Sequence, residues 1–272
     1  MSQTDGFLQR KTFHFTKKDL IDVRSSTDGF QPKFHSKDGK YFIKAQAVIG
    51  GTLMNDWMVE IIASGFCKTL DIPCISQCEC DIVYNDHVWK GVYSNNFEKE
   101  GYTFISFERL LNMKMETSKT DEFNRMGTVE KLRWCAGRIS MYAELPYDRC
   151  ETYMLNLAIL DCLVGNCDRH TRNFGVFFNN SEGEFSIAPV FDSGMGLFEH
   201  DYYRDKYSSY DAAMGNVYVA PYGEDPFEMI DILADEFDFG EYPFEALRIP
   251  EKLPNKYSEE YLIKMLGKVK RL

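Results

Sequence analysis

Between residues 165 and 194 the chain carries three oxygen-bearing side chains at a spacing that packing alone does not ask for. Gly165-Asn166-Cys167-Asp168-Arg169-His170-Thr171-Arg172-Asn173-Phe174-Gly175 is followed, past one turn-bearing segment, by Pro189-Val190-Phe191-Asp192-Ser193-Gly194. The stretch between them reads as a hairpin, with residues 174–178 and 185–188 flanking the polar loop 179–184. Any fold of this chain must therefore set a polar loop beside the far end of a hairpin, so that Asp168, Asn173 and Asp192 converge. Phosphoryl transfer needs such a set. One carboxylate positions an attacking hydroxyl, while an amide and a second carboxylate hold the magnesium that bridges nucleotide phosphates. His170 is expected to hydrogen-bond backbone and stiffen the loop. Arg169 and Arg172 stay open between meeting phosphate and facing water.

The hydrophobic pattern changes period near residue 95. Before it, strand-like runs occur at Leu20-Ile21-Asp22-Val23, Lys33-Phe34-His35 and Tyr41-Phe42-Ile43-Lys44-Ala45, with a hairpin turn at Ser36-Lys37-Asp38-Gly39. Asn55 is placed to cap a helix in which Met58, Ile61, Ile62, Gly65, Phe66 and Leu70 recur at helical spacing. Short strands resume at 82–84 and 88–93. After residue 95, helices are predicted over 104–111, 121–143 and 148–164, with Pro146 separating the last two, then over 227–237 and 258–269. The pattern predicts an α+β, bilobal, protein-kinase-like fold. Residues 1–95 form a small β-rich N-lobe with one long helix, and residues 96–272 a larger helical C-lobe.

Strand alternation puts Tyr41 and Ile43 on one face and Phe42 and Lys44 on the other, so Lys44 can point into a cleft and meet ATP phosphates. Glu60 follows in the long helix, placed to anchor that lysine through an ion pair. The segment from Ser25 to Lys33 would lie over the phosphates, where Gly29 lets backbone amides approach anionic oxygens. The backbone from Val92 to Asn95, with Tyr93 and Ser94, would meet the adenine. ATP and Mg2+ are the cofactors this set implies.

Ser26-x-x-Gly29-x-Gln31-x-Lys33 resembles the phosphate loop of the HipA-like serine/threonine kinases. Asn166-x-Asp168-x-His170-x-x-Asn173 is similar to their catalytic loop, and Phe191-Asp192 to their metal-binding step. Lys44 and Glu60 match the family's strand lysine and helix acid, and Leu70-Asp71-Ile72-Pro73 its helix end. The likeness runs over residues 20–235. Full-length toxins of the family carry an additional N-terminal subdomain, so the chain is more similar to short, stand-alone members, some of which work beside a small separate partner. The resemblance implies transfer to a protein Ser or Thr, with an aminoacyl-tRNA synthetase as the family's analogy. It also implies a DNA-binding antitoxin, and autophosphorylation at Ser26, with Ser25 and Thr27 as alternatives. A phosphate there would be repelled by those of ATP, so a modified Ser26 is incompatible with a closed loop. Asp168-Arg169-His170 with Asn173 and Asp192-Ser193-Gly194 also resembles phosphoinositide kinases, so a lipid head group or small metabolite is an alternative acceptor. A nucleotide-binding pseudokinase acting by contact is a third reading.

The net charge of -11 over 272 residues argues against a nucleic-acid-binding face, which needs a local excess of Lys and Arg. Met1 to Lys18 lacks the apolar core of a signal peptide. No apolar stretch reaches the roughly 18 residues of a membrane span; the longest candidate, 154–164, contains Asn156 and Asp161. The cytosol is the expected compartment. Of the eight cysteines, Cys74, Cys78 and Cys80 form C-x3-C-x-C without a second zinc-type pair, and are expected to be reduced thiols. Cys162 reads as helix packing and Cys167 as a small filler. A Tyr-rich stretch from Asp201 to Tyr218, with Tyr202, Tyr203, Tyr207 and Tyr210, follows the second aspartate, where kinases keep their substrate-recognition segment. It stays open between docking surface and cover for the helical lobe.

Overall fold

The computed structural model describes residues 10–21, 31–49, 51–199 and 207–272. Ser25, Ser26, Thr27 and Gly29 of the phosphate loop, and Tyr202 and Tyr203, lie outside the described residues.

Alternation builds the first sheet. Strands β1 (Lys11–Phe15), β2 (Lys33–His35), β3 (Tyr41–Ala45), β6 (Cys78–Tyr84) and β7 (His87–Asn95) form five strands in the order β1-β6-β7-β3-β2. A short ladder of β4 (Val48–Ile49) and β5 (Thr52–Leu53) leads into the first helix. β1 pairs parallel with β6, Lys11 opposite Cys80. Sequence patterning missed this strand, because a parallel partner almost 70 residues away leaves no local turn signal. One face of the sheet buries Phe15, Phe34, Ile43, Cys80, Ile82 and Tyr93 as a small separate core. Phe15 stacks on Phe34 with ring centroids 4.3 Å apart. The turn after β2 is fixed by Ser36 Oγ donating to Asp38 Oδ1 at 2.6 Å and by Gly39 at φ 72°.

Helix α1 (Asp56–Thr69) turns its apolar residues, Val59, Ile62, Ala63 and Phe66, into the larger core that also holds the helical lobe. Asn55 stands at the N-cap position but does not cap. Its side chain instead donates to the carbonyl of Pro254 at 2.7 Å. The predicted helix over 104–111 begins later. Residues 102–106 are strand β8 (Tyr102–Ser106), paired with β9 (Gly175–Asn179), which pairs in turn with β10 (Glu184–Ile187). Helix α2 (Phe107–Met113) starts only after Ser106, whose hydroxyl accepts from the Arg109 N–H at 3.3 Å. The predicted helix over 121–143 divides into α3 (Asp121–Arg125) and α4 (Thr128–Ala143). The break has a local cause: the Gly127 N–H turns to Glu130 Oε2 at 3.0 Å and opens a new helix.

Helix α5 (Tyr147–Val164) is buried without interruption from Tyr153 to Val164, the mark of a central core helix. Packed near it are α6 (Tyr210–Met214), α7 (Pro226–Glu236) and α8 (Ser258–Val269). The helices expected over 227–237 and 258–269 are α7 and α8 within a residue at their ends. Among the described residues no helix is long and apolar enough to cross a membrane. All eight cysteines are free thiols.

β3 and β7 approach closely at Gly91, opposite Ala45. A Cβ added there would lie 2.4 Å from the Lys44 carbonyl oxygen and 2.6 Å from Ile82 Cδ1. The Ile82 methyl can turn aside, but the Lys44 carbonyl is backbone and cannot withdraw without parting β3 from β7. Gly91→Ala is expected to lower stability by about 1–3 kcal/mol, read as a lower urea midpoint at unchanged slope. An unaltered midpoint contradicts the close approach.

Candidate active site

Helix α5 ends at Gly165, φ 59°, where a Cβ would sit 3.2 Å from the Tyr261 ring. The left-handed turn throws the chain back across the helix end, and the motif loop begins there. Asn166 is buried; its Nδ2 donates to Asp161 Oδ1 at 2.9 Å, and its Oδ1 accepts the Asp168 N–H at 3.2 Å. Asp168 itself is exposed at the tip. The His170 Nδ1 accepts the Arg172 N–H at 3.3 Å. Burial holds this imidazole below its usual pKa against the pull of Asp168, so the ring is neutral and can accept.

The organising group is Arg169, which faces neither phosphate nor water. It is wholly buried and paired with Asp161, equally buried, through Nε to Oδ2 and Nη2 to Oδ1, both at 2.9 Å. Its Nη1 donates to the carbonyl of Asn173 at 3.3 Å and to that of Phe191 at 2.6 Å, and Nη2 reaches Ser193 Oγ at 3.2 Å. One guanidinium thus ties the end of α5, the motif loop and the Phe191-Asp192-Ser193 segment together. Burial works against the charge, but the Asp161 carboxylate outweighs it and holds the guanidinium protonated. Asp161 offered the one sequence signal: an acid between Leu160 and Cys162-Leu163-Val164 in a buried helix must have a cationic partner.

The 190s segment is pinned from the other side. Val190 forms a parallel bridge with Cys74, and the Ile75 N–H donates to the Val190 carbonyl at 2.9 Å. Asp192 follows with φ 60°, a left-handed conformation that Asp tolerates better than most residues. Its carboxylate accepts from the Lys44 ammonium, which also donates to Glu60 Oε1 at 2.7 Å. Glu60 Oε2 accepts the Ser193 N–H at 3.2 Å, so the acid on α1 holds both the strand lysine and the backbone after Asp192. Burial opposes charge on Lys44 and Asp192 alike. The surrounding opposite charges prevail, raising the lysine above and holding the aspartate below their ordinary values.

Lys33 lies directly opposite Lys44 in the β2–β3 register. Burial first, then the Lys44 charge, lowers its pKa to about 8. Asp56, at the start of α1, is fully buried and accepts from the Ala47 N–H at 3.1 Å; burial lifts its pKa to about 7.

Lys33, Lys44, Glu60, Ser94, Arg172 and Asp192 line one cavity of about 370 Å3, with Phe42, Phe104 and Phe191 supplying apolar wall. Asp168, His170 and Asn173 are not part of that lining; they sit on the loop tied to it through Arg169. Gln31 is buried outside the lining. The Tyr93 side chain is turned to the opposite face of the sheet, where it packs edge-on against Tyr41, so only its backbone is on offer to the cleft. Asn173 Oδ1 is buried with no hydrogen-bond partner. A hard divalent cation takes such an amide oxygen together with a carboxylate, and Asn173 and Asp192, on segments joined by Arg169, are the donor types that fit Mg2+. Among the described residues no three His, Cys, Asp or Glu side chains form a metal cage, and Mg2+ held partly by substrate phosphates does not need one.

Removing Arg169 leaves Asp161 buried and unpaired. Arg169→Met is expected to cost about 3–5 kcal/mol, and Asp161→Leu in the same chain to return much of it. Chemical denaturation of both single variants and the double variant measures the coupling; additive losses contradict it.

The curated relative Serine/threonine-protein kinase CtkA of Helicobacter pylori (strain J99 / ATCC 700824) is 27% identical over 115 residues, 40% of this chain. The matched stretch spans 34% of that relative's length. Among solved structures, the crystal structure of a Helicobacter pylori proinflammatory kinase CtkA superposes with a TM-score of 0.54 at 16% identity, covering 96% of this chain and 94% of that one. The Shewanella oneidensis MR-1 toxin–antitoxin complex of HipA, HipB and operator DNA aligns at a TM-score of 0.45 and 14% identity, over 93% of this chain and 65% of that chain. The likeness to CtkA identifies the architecture as the bilobal kinase-like α+β fold. The HipA-like C-terminal domain family matches residues 25–215, well over half of the chain, and the chain belongs to that family.

Proposed function

We propose that the chain is a Mg2+-dependent kinase that transfers the γ-phosphate of ATP to a Ser or Thr hydroxyl of a protein. The observation that carries the reading is the Lys44 ammonium held between Glu60 and Asp192 at one cavity wall, with the Arg169 clamp tying the Asp168–Asn173 loop to the segment that carries Asp192. The relative's name, a serine/threonine-protein kinase, agrees with it.

In this reading Phe42, Phe104 and Phe191 wall the base, and Ser94 lies beside it. Lys44 and Lys33 face the phosphates, and Glu60 keeps Lys44 from swinging away. Asn173 Oδ1 and the Asp192 carboxylate would hold Mg2+, which when bound neutralises charge on the phosphates. Asp168, exposed at its loop tip, is free to meet an acceptor. It orients the hydroxyl and takes its proton as the oxygen bonds to phosphorus and the bond to the ADP oxygen breaks. Positioning and charge neutralisation supply most of the rate. The buried Arg169–Asp161 pair keeps both loops in register without touching substrate.

Incubation with Mg-ATP and a proteome extract, read by phosphosite mass spectrometry, tests the assignment. Asp168→Asn and Asp192→Asn are each expected to reduce transfer by about a thousandfold or more. Asp168→Asn, at an exposed position, leaves the melting temperature little changed, whereas Asp192→Asn lowers it by removing one of the two carboxylates that hold the buried Lys44 ammonium. Phosphate on residues 25–27 in the wild type alone identifies the autophosphorylation site, with Ser26 expected. Wild-type transfer by either variant removes the reading.

Lys33 adds a pH signature. Its lowered pKa of about 8 leaves it partly neutral at pH 8, and phosphates arriving beside it favour its charged form. Nucleotide binding is therefore expected to take up protons near pH 8 and to weaken as pH rises further. Calorimetry in buffers of different ionisation enthalpy measures the uptake. Its persistence in Lys33→Met would assign the proton elsewhere.

A further inference from the structure

On the helical lobe, α6, α7 and α8 border an open groove of about 560 Å3 that has no part in the cleft. Its lining carries Lys264, Lys268 and Arg271 against a single acid, Asp211, in a chain whose net charge is -11. The three cations recur on one face of α8 and its end, spanning about 10 Å along the helix axis. An extended peptide covers that distance in about three residues.

These cations can accept a new partner. Lys264 pairs with Glu260 at 2.8 Å with both side chains about half exposed, and Lys268 pairs with Asp231 at 2.5 Å on the groove's edge. The exposed Lys264 pair exchanges readily; Lys268 is mostly covered, and its partner Asp231 is the exposed side of that pair. Arg271 has no carboxylate partner among the described residues. Between the cations lie apolar side chains: Met214, Phe227 and Ile263, the last 55% exposed.

A second feature points to a ligand. Tyr210 lines the groove, is 8% exposed, and carries the Lys264 ammonium 4.1 Å above its ring. Its hydroxyl is buried with no hydrogen-bond partner. A buried hydroxyl without an acceptor is disfavoured, and an oxygen entering the groove would satisfy it.

We propose that this groove docks an acidic peptide segment of a protein partner. Carboxylates meet Lys264, Lys268 and Arg271, an apolar side chain rests on Phe227 and Met214, and a peptide oxygen accepts from Tyr210. The apolar floor of Met214, Phe227 and Ile263 favours a peptide, which brings an apolar side chain between its carboxylates, over a nucleic acid backbone. The site does not depend on phosphoryl transfer in the cleft.

The test uses the full chain and a pool of immobilised peptides of about eight residues, rich in Asp and Glu with one large apolar residue, beside lysine-substituted controls. The acidic members are expected to be retained, with affinities then measured by fluorescence anisotropy. Lys264→Gln with Arg271→Gln is expected to weaken binding about tenfold, and Tyr210→Phe about threefold. Circular dichroism melts and the thermal shift given by Mg-ATP are expected to stay unchanged in all variants. Tyr210→Phe loses an unsatisfied hydroxyl, so it should melt no lower than the wild type, which separates lost binding from lost fold. No preference for acidic peptides, or equal affinity in wild type and variants, overturns the proposal. Competition by inorganic phosphate or oligothymidylate as strong as by peptide also overturns it, marking a general anion surface.

Discussion

The guanidinium of Arg169 sits where no water reaches it, and the rest of the site takes its geometry from that fact. Two parallel hydrogen bonds to Asp161 neutralise the charge, and the remaining donors go to the carbonyls of Asn173 and Phe191 and the Ser193 hydroxyl. Two charges removed from water are stable only if every such bond is made. The loop after α5 and the segment around Asp192 can therefore move relative to each other only by breaking several bonds at once. Apolar side chains of the same volume could match the stability. They could not fix the register of two loops, because dispersion contacts lack direction.

A second set of charges extends this order to the sheet. Glu60 holds Lys44 with one carboxylate oxygen and the Ser193 N–H with the other, so strand β3, helix α1 and the Asp192 segment meet at one side chain. Gly194 follows directly, where a Cβ would come within 3.3 Å of Glu60 Oε1. The backbone here is bent into uncommon conformations: Asp192 at φ 60°, then Leu197 at 48° and Phe198 at 64°. Left-handed backbone at apolar residues costs energy and persists only where surrounding bonds over-determine it. Ser258 Oγ and Asn255 Nδ2, both donating to the Leu197 carbonyl, are among those bonds.

How much of this was legible in the sequence depends on the range of the interaction. Alternation is local, and it assigned Lys44 and Phe42 to the cleft face and Ile43 to the buried one. The same rule places the Tyr93 side chain on the far face, away from the cavity. The order of the motif residues revealed which loops must meet, since a hairpin of ordinary length returns the chain to its starting edge. Nonlocal pairings left weaker traces. β1 has the period of a strand, but its partner lies beyond most of the small lobe. The break between α3 and α4 and the strand at 102–106 were hidden because capping by Glu130 and Ser106 competes with a continuous helical pattern. Arg169 was ambiguous because arginine is usually exposed, and only Asp161 eight residues earlier argues otherwise.

The two apolar cores explain what can move in such a site. The core of the five-stranded sheet lies on the face away from the cleft, while the apolar side of α1 belongs to the large core with α5. Two polar links join sheet and helix, Lys44 to Glu60 and the Ala47 N–H to Asp56, beside direct packing of α1 on β6 and β7. Pulling α1 from α5 would open a close-packed interior at large cost. Lys44 on the sheet and Glu60 on α1 are thus the two sides of the joint between the lobes, and the pair closes it at 2.7 Å. The bond of Glu60 to the Ser193 N–H adds the Asp192 segment to the same joint, so a change at any of the three is felt by the other two.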